Sequence, residues 1–216
     1  MTANSQSNPP DALLLTGTHC PYCPTVLREL KVLEAEGAIG QVETVNIEEQ
    51  PEIARELGVR TVPWVRIGPF ELEGLRSGQE LREWAEKAGQ AAGMAAYFGE
   101  LLGSGKINKV LVMIRADPAV LDALLLLFEA TDTPLNTRIG ISAVMEHLEG
   151  SDVLTARVAR LGQLTRHPDP HIRGDACHYL ALSGSEQAVP FITPLLEDED
   201  ANVRELAHDS LTLLQQ

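Results

Sequence analysis

Two textures of apolar and polar positions divide the chain. Up to about residue 88, short apolar runs alternate with helical periods. Leu13-Leu14-Leu15-Thr16 reads as a buried strand, ended by Gly17 and Thr18. From Pro24 to Glu36, Val26, Leu27, Leu30 and Leu33 recur at helical spacing, and Gly37 and Gly40 punctuate the end. Val42 to Ile47 alternates as a strand does. Pro51 to Leu57 reads as a short helix closed by Gly58. Val62, Trp64, Val65 and Ile67 flank or form a strand after Pro63. Gly68-Pro69 signals a turn, Phe70-Glu71-Leu72 a short strand, and Gly78 to Glu86 a helix. The order βαβαββα predicts an α/β layer fold for residues 11–88. Met1 to Pro10 reads as a disordered tail.

From residue 89 onward no strand pattern remains. Helices are expected over 91–102, 106–115, 118–130, 137–149, 153–166, 171–183, 187–197 and 201–214, with Gly, Pro or Asp between many of them. The short connections imply antiparallel neighbours. An internal repeat is visible: Asp169-Pro170-His171-Ile172-Arg173-Gly174-Asp175-Ala176 aligns with Asp200-Ala201-Asn202-Val203-Arg204-Glu205-Leu206-Ala207. Thr137-Arg138-Ile139-Gly140 is a weaker, earlier copy. Helix pairs that bury their apolar faces only by stacking explain such recurrence, and an ordinary helical bundle is the alternative.

Composition changes the picture in three places. Aromatics are only 4% of the 216 residues, so the core is built mostly of Leu, Ala, Val and Ile, as in helical packing. The net charge of −14 argues against nucleic acid, whose phosphates demand concentrated Lys and Arg. The acidity is spread, with 8 basic against 14 acidic residues up to residue 88 and 9 against 17 after it. No continuous apolar stretch has membrane-spanning length, and the polar N-terminus, without positive charge, does not read as a signal peptide. A cytoplasmic location is expected, with no membrane partner.

Three cysteines remain as candidate chemistry: Cys20, Cys23 and Cys177. A pair separated by two residues can ligate metal, form a structural disulfide or run thiol–disulfide exchange. A usual zinc site needs two further ligands, and neither the adjacent His19 nor the remote Cys177 supplies a second pair. The context, an apolar strand before the pair and an amphipathic helix after it, favours exchange. Cys20 is expected at the helix N-cap, with Pro21 at the first helical position. Its thiolate would then face free backbone N–H groups and the positive end of the helix dipole, and so have a lowered pKa. Cys23, one turn on, is expected to be the more buried. Cys177, beside Ala176 and Leu180, reads as a small core residue.

Cys20-Pro21-Tyr22-Cys23 matches the glutaredoxin active-site motif. With Pro24 and Val26 the string resembles glutaredoxin-like protein disulfide oxidoreductases. Asn46-Ile47-Glu48 followed by Pro51-Glu52-Ile53-Ala54 resembles the strand and helix after the active site of thioredoxins. Gly58-Val59-Arg60-Thr61-Val62-Pro63 resembles the segment carrying that family's cis-proline. The resemblance implies Cys20 as nucleophile, Cys23 as resolving thiol, and a cis Val62–Pro63 bond that presents the Val62 backbone to an extended substrate. Tyr22 would cover the disulfide and contact the partner, or be a half-exposed turn residue. His19 would tune Cys20 or contact substrate, or face solvent without a role. Trp64, after that proline, is expected in the core, with substrate contact as the alternative. Positions 16–19 hold Thr, Gly, Thr and His where many glutaredoxins carry a basic residue for glutathione, and only Glu73-Gly74 stands for the later Gly-Gly and acidic group.

Asp169, Ile172-Arg173 and Ala176, then Asp200, Val203-Arg204 and Ala207, resemble HEAT-type repeats, whose Asp and Arg tie neighbouring units. Asp198-Glu199-Asp200 reads as a solvated junction. The expected architecture is an α/β thioredoxin-like domain, residues 11–88, followed by an all-α HEAT-like helical repeat domain, residues 89–216. The function it implies is thiol–disulfide exchange on protein disulfides, with thioredoxin reductase or glutathione as electron source and the repeats binding a protein partner. No cofactor or metal is called for. The alternatives are a glutathione-dependent glutaredoxin-like enzyme and a repeat scaffold with a redox-sensing domain.

Overall fold

The computed structural model describes residues 8–215, so the tail expected over Met1 to Pro10 lies outside the described residues except at its end. There the Pro10 carbonyl accepts the Gly40 N–H at 2.9 Å, which holds the chain where a disordered tail was expected. The chain divides into two compact units, Met1–Met94 and Ala95–Gln216.

The first unit is built from β1 (Ala12–Thr16), α1 (Cys23–Ala35), β2 (Val42–Asn46), α2 (Pro51–Glu56), β3 (Trp64–Ile67), β4 (Phe70–Glu73) and α3 (Gly78–Lys87). The strand order is β2-β1-β3-β4. β1 and β2 run parallel, because α1 carries the chain back to the starting edge; β3 is antiparallel to both β1 and β4. Register decides which residues share a face. Leu14 pairs with Val65, and Val65 with Leu72, so these three point together, flanked by Ala12, Ile67 and Phe70. Phe70 meets Trp84 of α3 at 4.9 Å between ring centroids, which puts α3 over this face. The opposite face carries Leu13, Leu15, Val45 and Trp64, covered by Ile47, Ile53, Leu57, Val59 and Val62. Trp64 is thus a core residue.

Local signals set the helix ends. Ser77 and Glu80 form a capping box at the start of α3: the Glu80 N–H donates to Ser77 Oγ and the Ser77 N–H to Glu80 Oε2. Gly58, at φ +66°, takes the left-handed conformation that stops α2, where a side chain would be strained.

α4 (Ala91–Gly103) spans the division between the units. The second unit continues with α5 (Ile107–Ala116), α6 (Leu121–Glu129), α7 (Leu135–His147), α8 (Asp152–Thr155), α9 (Val158–Leu164), α10 (Pro170–Leu182), α11 (Val189–Ile192) and α12 (Ala201–Leu213). Three expected helices are broken. The segment 118–130 opens as a tighter turn over Pro118–Val120. The segment 187–197 becomes α11 between two 3₁₀ turns, because Pro190 and Pro194 remove backbone donors four residues apart. The segment 153–166 splits at Ala156 and Arg157 with no Gly or Pro to cause it. There Arg157 reaches Asp122 at 2.9 and 3.2 Å and the Pro118 carbonyl at 3.0 Å, a tertiary contact that local sequence does not announce.

The repeat is physical. Arg138, Arg173 and Arg204 stand near the starts of the 13-residue helices α7, α10 and α12, and each reaches back to carbonyls of the preceding loop. Arg138 takes Thr133 and Ala130, Arg173 takes Pro168 and His167, and Arg204 takes Glu199 and Asp198. The weaker copy at Arg138 shares the backward reach but not its detail: Arg173 and Arg204 use one nitrogen, Nη1, on carbonyls five and six residues back, whereas Arg138 uses Nε and Nη2 on carbonyls five and eight residues back. Asp169 and Asp200 cap α10 and α12. The ion pair between repeats belongs instead to Asp198, which holds Arg173 in a fork at 2.8 and 2.9 Å; the side chains are 9% and 8% exposed. The Asp198 side chain is therefore largely covered by its partner, and of the expected solvated junction Glu199 is the fully exposed member. Arg173 keeps the Asp198 carboxyl below its usual range. Gly162 and Gly174 mark close approaches: a Cβ would come within 2.4 Å of the Phe191 ring and 2.8 Å of Leu206 Cδ1, respectively. Cys177 is fully buried, and burial pushes its thiol up despite a hydrogen bond with Ser210.

Candidate functional site

The site forms where β1 ends and α1 begins. After Thr16 the chain makes a turn closed by the Cys20 N–H on the Gly17 carbonyl at 3.2 Å. That turn stops the chain short of the helix. α1 begins at Cys23 with Tyr22 as its N-cap residue, so Cys20 and Pro21 precede the positions expected for them.

The electrostatic expectation nevertheless finds a donor. The Cys23 N–H donates to Cys20 Sγ at 3.1 Å. Pro24 has no N–H, and the N–H groups of Thr25 and Val26 are taken by the Tyr22 carbonyl. The Cys23 N–H is thus the first-turn donor left for the sulfur. Cys20 and Cys23 are joined by a disulfide, with Cα atoms 5.5 Å apart. The two sulfurs differ in access: Cys23 is 3% exposed, while Cys20 is half-buried. Tyr22, between them, is 54% exposed and His19 is exposed.

The Val62–Pro63 peptide is cis. Val62 reaches the turn itself, since its Cγ2 lies 3.3 Å from where a Gly17 Cβ would stand. Pro63 is buried, and its carbonyl accepts the Gly74 N–H at 2.9 Å, which ties the loop after β4 to this segment. The fold therefore joins Cys20 to Cys23 and sets Val62 against Gly17 at the start of the same turn, with Pro63 next in sequence and Tyr22 and His19 exposed.

Three polar residues that the motif does not announce complete the surroundings. Glu48 Oε1 accepts the Thr18 N–H at 2.9 Å, and Asn46 Nδ2 donates to Thr18 Oγ1 at 3.3 Å. Asn46 and Glu48 gather here because the register sets Asn46 beside Thr16, so the loops after the parallel strands meet. The signal in sequence is the pair of polar residues where the apolar alternation of β2 stops. Among the described residues, no group of three or more His, Cys, Asp or Glu side chains is placed to hold a metal ion. Among the same residues, no helix is long and apolar enough to cross a membrane.

The family model described as a thioredoxin domain matches residues 13–86, and that for HEAT repeats matches residues 158–215. A thioredoxin-like domain is followed in this chain by HEAT repeats. No curated protein matches the chain. The thioredoxin-like domain carries a cysteine pair of the C-x-x-C kind, which suggests redox chemistry, and the HEAT repeats suggest protein interaction.

Proposed function

We propose that the chain is a thiol–disulfide oxidoreductase acting on protein disulfides. Residues 11–88 serve as the redox domain and residues 89–216 as a helical module that binds a protein partner. The observation that carries this reading is the asymmetry of the two sulfurs. Cys20 is half-buried and its sulfur accepts the Cys23 N–H at 3.1 Å, while Cys23 is only 3% exposed. When the disulfide is reduced, that N–H and the start of α1 favour the Cys20 thiolate over the thiol.

Cys20 Sγ⁻ attacks one sulfur of a substrate disulfide. A new S–S bond forms, the substrate S–S bond breaks, and the other substrate sulfur leaves as a thiolate. Deprotonated Cys23 then attacks Cys20 Sγ, closes the intramolecular disulfide and expels the second substrate thiolate. The substrate gains two electrons and the Cys20–Cys23 pair loses them. Thioredoxin reductase or glutathione returns them, and a reducing cytoplasm is the compartment in which that cycle runs. Val62 offers its backbone to an extended substrate next to the nucleophile, with Pro63, Tyr22 and His19 lining the approach.

The test is turnover of a generic protein disulfide by the full chain, with each electron source in turn, together with titration of Cys20 by its thiolate absorbance. Turnover with one source and a Cys20 pKa below that of an ordinary thiol are expected, and Cys23→Ser traps a mixed disulfide. An ordinary Cys20 titration with no exchange from either source sinks the proposal.

A further inference from the structure

The turn that carries Cys20 is held from a strand to which it does not belong. Glu48, beyond the end of β2, takes no part in the electron transfer described above, yet its Oε1 accepts the Thr18 N–H at 2.9 Å. Bonds from the Thr18 hydroxyl and the Thr18 N–H hold its carboxyl below the usual range, with a smaller contribution from His19. Asn46 closes the arrangement: its Nδ2 donates to Thr18 Oγ1 at 3.3 Å, and its Oδ1 accepts the Glu48 N–H at 3.0 Å. Asn46, Thr18 and Glu48 are therefore joined in a ring.

The ring bears on the nucleophile through a short path. Thr18 is the second residue of the turn that the Cys20 N–H closes on Gly17 at 3.2 Å. Three residues beyond Cys20, the Cys23 N–H must meet its sulfur. A turn free to reorient would move Cys20 Sγ away from that donor. Glu48 Oε1 also lies 3.3 Å from the position of a Gly17 Cβ, the same distance as Val62 Cγ2, so the carboxylate packs where the turn meets Val62. Glycine at position 17 leaves room for both.

We infer that Glu48 is a positioning residue for the exchange reaction: by holding Thr18 it keeps Cys20 Sγ against the Cys23 N–H and facing the substrate side. The inference rests on the oxidoreductase reading for its effect on rate, but not for its effect on the turn. A carboxylate that merely decorates the surface would leave both unchanged.

The experiment compares Glu48→Ala and Glu48→Gln with the wild type, all as full chains. It follows amide hydrogen exchange in the oxidised form and steady-state reduction of a protein disulfide. In Glu48→Ala the Thr18 and Cys20 amides exchange about tenfold faster, as loss of a charge-assisted hydrogen bond implies, while the β1 amides keep their rates. The same variant loses about three- to tenfold in kcat, with KM within about twofold. Glu48→Gln retains an acceptor oxygen and recovers most of both losses. Wild-type exchange rates at Thr18 and Cys20 in Glu48→Ala overturn the inference. So does a Gln variant as impaired as the Ala variant at an unchanged melting temperature. If the wild type reduces no disulfide, the oxidoreductase reading fails, and the amide rates alone still decide whether Glu48 holds the turn.

Discussion

Cys20 and Arg173 each stand near the start of a helix in their own unit, and they differ in how fully their polar atoms are used. Cys20 is half-buried, and its sulfur accepts one N–H. Arg173 is 7% exposed, and its five N–H groups are directed at both oxygens of Asp198, the carbonyls of His167 and Pro168 and Glu199 Oε1. A partly exposed atom with capacity to spare can meet something from outside. A saturated, buried cation has nothing left to offer a ligand, but it fixes the helices on which its partners sit. The same local device, a group at a helix start, thus leaves a sulfur partly open in the thioredoxin-like domain and ties helices together in the repeats.

The largest effect that can break this contrast is chemical. Cys20→Ser lowers disulfide exchange by at least about a hundredfold, because a hydroxyl is a far poorer nucleophile at neutral pH. Its melting curve under reducing conditions stays close to that of the wild type. A large loss of stability in that variant would mean that Cys20 is structural. The mirror experiment is Arg173→Ala, which strands the Asp198 carboxylate in a nearly buried site. It costs about 3 kcal/mol, read by denaturant unfolding, and leaves the titration of Cys20 unchanged.

Smaller changes sharpen the picture inside the repeats. Gly162→Ala pushes a methyl against the Phe191 ring, where a Cβ would stand 2.4 Å from Cδ1, and loses about 1–2 kcal/mol by the same measurement. The smallest effect separates two acids by sign. Arg173 lowers the Asp198 pKa, so its contribution to stability is present above the unfolded carboxylate pKa near 4. It is lost as the pH falls through the lowered folded value. Burial raises the pKa of Asp175 against the pull of Arg138, His171 and His178. Its contribution is full below about pH 4 and is lost as the pH rises through the raised value. Asp175→Asn is therefore expected to raise the melting temperature by about 1–3 °C at pH 7, with the gain shrinking towards pH 4. An equal gain at both pH values would remove burial of the charge as the cause.

Much of this was legible before any coordinate. Apolar runs, alternation and helical spacing marked out β1 to β4 and α1 to α3 to within a residue or two, because the helices bury one face while β1 and β3 bury both, and the apolar residues follow accordingly. Pro63 stood out through its neighbours, and Arg173 and Arg204 through the repeat. The misses share a cause. Asp198 reads as one more acid in Asp198-Glu199-Asp200, yet Arg173, 25 residues away, binds both of its oxygens. At the break at Ala156 and Arg157 the arginine pairs with Asp122, 35 residues earlier, and Glu48 accepts the N–H of Thr18, 30 residues earlier. None of these pairings leaves a local mark.

By itself the sequence determined that the chain has an α/β part and a helical part, that the first carries a dithiol after a strand, and that the second repeats. Those properties depend on periodicity, turn chemistry and the spacing of two sulfurs, all carried by residues close together in the chain. Only the tertiary structure decided that α1 starts at Cys23, that the Cys23 N–H rather than a whole helix end meets Cys20 Sγ, and that Glu48 and Asn46 hold the intervening turn. The reason is that hydrogen bonds act over about 3 Å, and which distant groups come that close is set by strand register and packing.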